Sequence, residues 1–242
     1  MNNAGYALVG SFEKLTNPFR PVPELDVSFA AYFNALSDFD KMQEHALRGM
    51  EVARKAGNLR QWGLSKINLV WSLWGRAQYD RAAEECQELM QAAEDSSDRQ
   101  LVVWGVLAEG CVHLGRGLAK EAIASFQRGI EIAEELPDYL SLGGLGGWMG
   151  RSYLALGEVD QAINLMESTE RLLSDQIGLL PGYAYLGNGL AEAYLAKAER
   201  SDGEVRLAWL KKSRPVLRRT LKEARRNRMA LPDVQMLQGR YE

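Results

Sequence analysis

The residues able to do chemistry are few in this chain, and most fall outside the spacings that chemistry requires. Gly143-Gly144-Leu145-Gly146-Gly147 has the glycine density of a loop that cradles phosphate. No Lys-Ser or Lys-Thr pair follows it and no strand pattern precedes it, so the context of a phosphate or dinucleotide loop is missing. Inside a helix each glycine costs about 1 kcal/mol relative to alanine. Four of them together therefore imply a frayed helix start, a very close helix contact, or a groove opened to a ligand backbone. His45 and His113 are far apart, and no cysteine or histidine stands at metal-ligand spacing, so no metal is expected. No Gly-x-Ser-x-Gly elbow exposes a nucleophilic serine. The carboxylates Glu84-Glu85 and Glu131, Glu134 and Glu135 fit solvated outer faces of helices. These residues argue against catalysis, and they imply no cofactor.

One segment is anomalous in charge. Between Glu204 and Arg228 the chain carries ten cations, among them Arg214, Arg218, Arg219, Lys222, Arg225 and Arg226, against two carboxylates. That segment holds +8, which leaves −11 on the remainder of a chain whose net charge is −3. Such polarity fits either a surface for nucleic acid or an acidic partner, or a solvating end helix. With only Trp209 interleaved, stacking on single-stranded bases is disfavoured.

The 242 residues are 46% hydrophobic and 25% charged, enough apolar surface for a folded globular array. No apolar run approaches the ~20 residues of a membrane span. The start, Met1-Asn2-Asn3-Ala4-Gly5, lacks the basic and apolar regions of a secretory signal. Cys86 and Cys111 fall at interior positions, so the expectation is a cytoplasmic protein with reduced, packing thiols.

What positions these residues is a helical pattern recurring about every 40 residues. It appears as Leu64-x2-Ile67-Asn68-x2-Trp71, Trp104-x2-Leu107-Ala108-x2-Cys111, Gly146-x2-Met149-Gly150-x2-Tyr153 and Gly187-x2-Leu190-Ala191-x2-Tyr194. A second signature, Ala82-x3-Cys86, Ala122-x3-Phe126 and Ala162-x3-Met166, follows three of them, and Met42-x3-Ala46 precedes it by one repeat. A fixed period of this size marks a solenoid, in which each repeat buries its apolar face against its neighbours. The pattern predicts a short helix over 4–15 and a proline-rich linker to 23, then five helical pairs over 24–228 and a partial or capping helix over 229–242. Ser37 is the expected N-cap of the first pair's second helix, and glycines 57, 75, 115, 117 and 157 are the expected stops and turns. Pro215 should kink or split the basic helix, and Pro232 can open the last one.

The repeats resemble tetratricopeptide repeats, whose pattern is Trp-x2-Leu-Gly-x2-Tyr, then Ala-x3-Phe and a late proline. The third repeat matches with Trp104, Leu107, Ala108, Cys111, Ala122, Phe126 and Pro137, and the fourth with Met149, Gly150, Tyr153, Gly157, Ala162 and Met166. The unit here is stretched from the usual 34 residues to about 40. In that it looks like the long repeats of bacterial signal-transduction ATPases, adenylate cyclases and LuxR-type regulators. The resemblance implies an all-α, right-handed superhelix of antiparallel helix pairs with its first helices lining a concave groove. On that register the groove would present Lys66, Glu109, His113, Trp148, Arg151 and Glu192, with Trp62 and Tyr185 one turn earlier. It implies a protein or peptide partner, a catalytic domain of the same larger protein among them. A ligand-sensing segment of such a protein, and nucleic-acid contact through the basic helix, are the alternatives.

Overall fold

The computed structural model describes residues 23–177, 184–225 and 228–242, so the expected helix over 4–15 and nearly all of the proline-rich linker lie outside it. Among the described residues there is no strand. Eleven α-helices follow one another: α1 (Pro23–Leu36), α2 (Phe39–Lys55), α3 (Leu59–Gly75), α4 (Tyr79–Ser96), α5 (Arg99–Gly115), α6 (Ala119–Glu135), α7 (Tyr139–Ala155), α8 (Val159–Ile177), α9 (Ala184–Glu199), α10 (Gly203–Ala224) and α11 (Leu231–Tyr241). A short 3-10 turn, Arg228–Ala230, precedes α11. This is an all-α helical-repeat solenoid.

The helices from α2 to α8 begin at 39, 59, 79, 99, 119, 139 and 159, so helix and turn together fill 20 residues each time. Equal arms of this kind let every pair stack on the next in one register. Glycines 57, 117 and 157 supply left-handed turns as expected, with φ of 65°, 79° and 79°. Elsewhere the turns differ from expectation. Ser37, Ala77 and Ser97 take positive φ themselves. Asp38, not Ser37, caps α2, its carboxylate accepting from the Lys41 amide. Asn58, Asp98 and Asp138 repeat that cap on α3, α5 and α7. Gly75 and Gly115 are not turn residues but the last helical ones, kept small because the Phe39 and Tyr79 rings lie on them. Pro215 does not split α10, which runs unbroken from Gly203 to Ala224. The lost backbone bond is outweighed by burial just beyond it, at Val216, Leu217, Thr220 and Ala224.

Curvature follows from unequal spacing. Each first helix touches the next first helix (α1 with α3, α3 with α5, α5 with α7, α7 with α9), whereas successive second helices make no comparable contact. The first helices therefore form the inner side of the bend. The small residues at their crossings allow it. A Cβ on Gly147 would stand 3.0 Å from the Leu186 backbone N and Cα, and one on Gly189 would stand 2.8 Å from Met166 Sδ and 3.5 Å from the Gly147 carbonyl. Of the three readings of the glycine run, close helix contact is the one the structure shows, inside a regular α7. The alanines of the second signature, Ala82, Ala122 and Ala162, are fully buried, as are Phe126 and Met166. The curl is tight enough that α1 touches the 3-10 turn near the far end of the chain.

The glycine run yields a paired test. At Gly144 an added methyl would meet only Leu107 methyls at 3.5 Å, ordinary contact, whereas at Gly147 it meets main chain that cannot yield. Urea unfolding should show Gly147→Ala destabilised by roughly 1–3 kcal/mol. Gly144→Ala should be neutral or more stable by up to about 1 kcal/mol, the helix-propensity gain. Equal effects at both positions would contradict the crossing.

Candidate recognition surface on the first helices

On the inner side of the bend, aromatic rings from three pairs meet. Trp71 and Trp74, from the last turns of α3, stand with ring centroids 5.7 Å apart. Trp148 of α7 lies 6.1 Å from Trp71 and 5.5 Å from Trp74, across the intervening α5. Tyr185, at the start of α9, continues the row at 5.1 Å from Trp148. The Trp74 indole donates to the Cys111 carbonyl at 2.8 Å, which fixes its ring. Trp148 is 4% exposed and so forms the floor of this seam, while Trp71, Trp74 and Tyr185 remain partly exposed. Offset and edge-to-face pairs at such distances add stabilisation beyond area burial.

A charge sits at the rim. The Arg151 guanidinium lies 5.1 Å from the Trp148 ring centroid. Its Nη1 donates to Asp233 Oδ2 at 2.9 Å, a pair spanning 82 positions from α7 to α11. On the next first helix, α9, the buried Asn188 amide donates to the Ala230 carbonyl at 3.3 Å, and its own Oδ1 has no hydrogen-bond partner among the described residues. The array thus brings together Trp148, Arg151 and Tyr185 of the expected groove residues. Glu192 is partly exposed on α9.

The other four expected residues are turned elsewhere. Trp62 and Lys66 are buried within the stack, at 7% and 1% exposure. Lys66 faces α4, where its ammonium donates to Glu85 and, at 2.5 Å, to Glu88, with the Trp62 ring centroid 5.7 Å away. Two carboxylates inside the same pair offer this cation more than an inner surface could. Glu109 and His113 turn toward α6: the Ser125 hydroxyl donates to Glu109 at 2.8 Å and lies 3.4 Å from His113 Nδ1. The first-helix register marks which residues leave the apolar face, but not which neighbouring helix claims them. Trp71, Trp74 and Asp233 were missed: Trp71 reads only as a position of the repeating motif, Trp74 lies beyond that motif, and nothing local links Asp233 to Arg151.

On α10, Arg214, Arg218, Lys222 and Arg225 are exposed along one outer face with Lys211. Among the described residues none of these five makes an ion pair, whereas Arg219 pairs with Glu170 and Lys212 with Glu167, both on α8. Burial alone would raise the Glu167 pKa, but hydrogen bonds from Lys212 and Tyr194 outweigh it and lower the value. Arg226 lies outside the described residues. His45 is part of no metal cluster; its Nδ1 is 2.8 Å from Asp26 Oδ1 and its ring stacks between Phe29 and Phe33. No group of three or more His, Cys, Asp or Glu suited to a metal occurs among the described residues, and no described helix is long and apolar enough to cross a membrane.

No known protein-family profile matches the chain, and no curated protein matches it in sequence. Solved structures do share its fold. A Rap protein complexed with competence and sporulation factor superposes with a TM-score of 0.62 at 14% identity, over 95% of this chain and 64% of that one. The apo form of RapI gives 0.64 at 13%, over 98% and 92%. A Podosopora anserina putative kinesin light chain with nearly identical TPR-like repeats gives 0.54 at 17%, over 84% and 99%. The chain thus spans just under two thirds of the Rap protein in the complex, and its fold is that of TPR-like repeats.

Two predictions follow from the buried polar groups. In Glu85→Ala/Glu88→Ala the Lys66 ammonium stays buried without a carboxylate. Because the acids are themselves partly exposed, the loss should be about 2–3 kcal/mol, below that of a fully buried pair. Adding Lys66→Met should recover most of it in chemical denaturation. Burial pushes the Cys86 thiol up to about 12, and Cys111 well above the ordinary range. Unfolded thiols ionise near ~8.5, so the unfolded state loses its protons first and stability should fall as pH rises from there toward 12. Iodoacetamide at pH 8.5 should label both cysteines quickly in urea and scarcely at all in the native protein. Rapid native labelling would show that these crossings open readily.

Proposed function

We propose that the chain is a binding scaffold for a peptide or protein segment, with no catalysis of its own. Recognition would fall on the inner seam of Trp71, Trp74, Trp148 and Tyr185, with Arg151 at its edge and Glu192 about two turns on from Tyr185 along α9. The observation that carries this reading is the guanidinium held over Trp148 in a row of partly exposed aromatic rings. Such a surface buries apolar area and binds a carboxylate at once, and Trp, Tyr and Arg dominate binding energy at interfaces. A preformed solenoid would also lose little conformational freedom on binding. The Rap protein crystallised with competence and sporulation factor supports the reading by analogy of fold. A catalytic domain of a longer protein would be read by the same surface. Trp62, Lys66, Glu109 and His113 are better assigned to holding the pairs together.

The unpaired stripe on α10 favours a second surface. Lys211, Arg214, Arg218, Lys222 and Arg225 extend about 21 Å along the helix at 1.5 Å per residue. If it contacts nucleic acid, binding to a DNA or RNA duplex should fall steeply with salt.

Screening the protein against a random peptide array tests the main reading. Binders should be enriched in apolar and acidic residues. Tyr185→Ala and Arg151→Ala should each weaken them by roughly 1–2 kcal/mol while leaving the melting temperature nearly unchanged. Binders indifferent to both substitutions would place recognition on another face.

A further inference from the structure

We propose that the inner face beside the seam, Arg151 together with the apolar side of α9 and α10, reads a short helix whose first turn carries a carboxylate, followed by aliphatic residues at the next position and one turn on, and that the chain holds a copy of this ligand in cis. The inference deepens the reading above and rests on it. The copy is the 3-10 turn Arg228–Ala230 with α11. Asp233, in the first turn of α11, occupies Arg151, the cation that a ligand carboxylate would take. Val234 and Leu237, each 1% exposed, bury the aliphatic side of the same helix. Leu237 joins the cluster of Leu186, Leu190 and Leu217, and Val234 that of Ala224 and Ala230.

Two features make this a replaceable occupant. The Arg151–Asp233 pair is partly exposed, with side chains at 22% and 37%, so its contribution is modest. Asn188 is 1% exposed and, among the described residues, only half satisfied: its amide reaches the Ala230 carbonyl while Oδ1 meets no donor. A ligand that also offered a donor there would match the site better than the chain's own segment does. The cis copy nevertheless competes at an effective concentration of millimolar order. The intact chain should therefore bind such helices weakly until its own is unlatched.

The probe is a fluorescent synthetic peptide with the sequence of residues 228–242, titrated into the full chain and read by anisotropy. Wild type should bind it weakly. Asp233→Asn/Val234→Ser/Leu237→Ser, shown folded by circular dichroism, should bind it at least ~10-fold tighter, since the cis competitor is removed. The gain should shrink by a few fold when the peptide carries Asp233→Asn, or when Arg151→Met is added to the unlatched chain. Should the triple variant not fold, Asp233→Asn alone should still give a gain of a few fold. An unlatched, folded chain no tighter than wild type overturns the proposal, as does a gain insensitive to both Arg151 and the peptide's carboxylate. If array peptides bind but never respond to changes in α11, this inference falls and the scaffold reading stands. If no peptide binds either form, both fall.

Discussion

Successive first helices cross closely because glycine removes the side chain from the contact, and the inner architecture depends on that approach. The Gly147 position, against the Leu186 backbone, is where main chain meets main chain most directly. Bulk there would separate α7 from α9 and open the bend. Without the bend, Trp71 would not reach Trp148 over α5, and Arg151 would not reach Asp233. The same close packing gives the thiols of Cys86 and Cys111 their raised pKa values, because the crossings exclude water.

The 20-residue module explains why so plain a sequence can build this. The module uses a capping acceptor on α2, α3, α5 and α7, a turn residue in the left-handed region and an apolar stripe on each helix. Asp38, Asn58, Asp98 and Asp138 supply the first, and glycine, serine or alanine the second. Between modules, ion pairs recur in step: Arg76 with Asp40, Arg116 with Asp80, Lys197 with Asp160. Exposed pairs of this kind add little individually, and they serve register more than stability. The stripe on α10, by contrast, makes no ion pair among the described residues.

Much of the fold was legible because a period is a global property: one repeat predicts the next. The helix starts at 59, 79, 99, 139 and 159, the buried alanines 82, 122 and 162, and the close contact at Gly150 with Met166 all follow from it. The arrangement of the candidate surface was legible only in part. The register places Arg151, Trp148 and Tyr185 on the inner face, and the structure brings these three side chains together there. Lys66 was placed on that face too, yet Glu85 and Glu88 draw it inward, a competition between neighbours that no single-helix pattern records. Pro215 misled for a related reason, since tertiary burial beyond it holds α10 together. Asp233 could not be foreseen, because its partner lies 82 positions away and depends on the curvature itself.

Curvature is thus the central claim, and the indole rings report it directly. In an isotope-labelled sample, nuclear Overhauser contacts between side-chain protons test which rings adjoin. The structure predicts cross-peaks between Trp71 and Trp148, whose centroids are 6.1 Å apart, alongside those of Trp71 with Trp74 at 5.7 Å within α3. The Trp71–Trp74 contact serves as the internal standard. Its presence without any Trp71–Trp148 contact would mean that the array is open in solution and that the seam does not form.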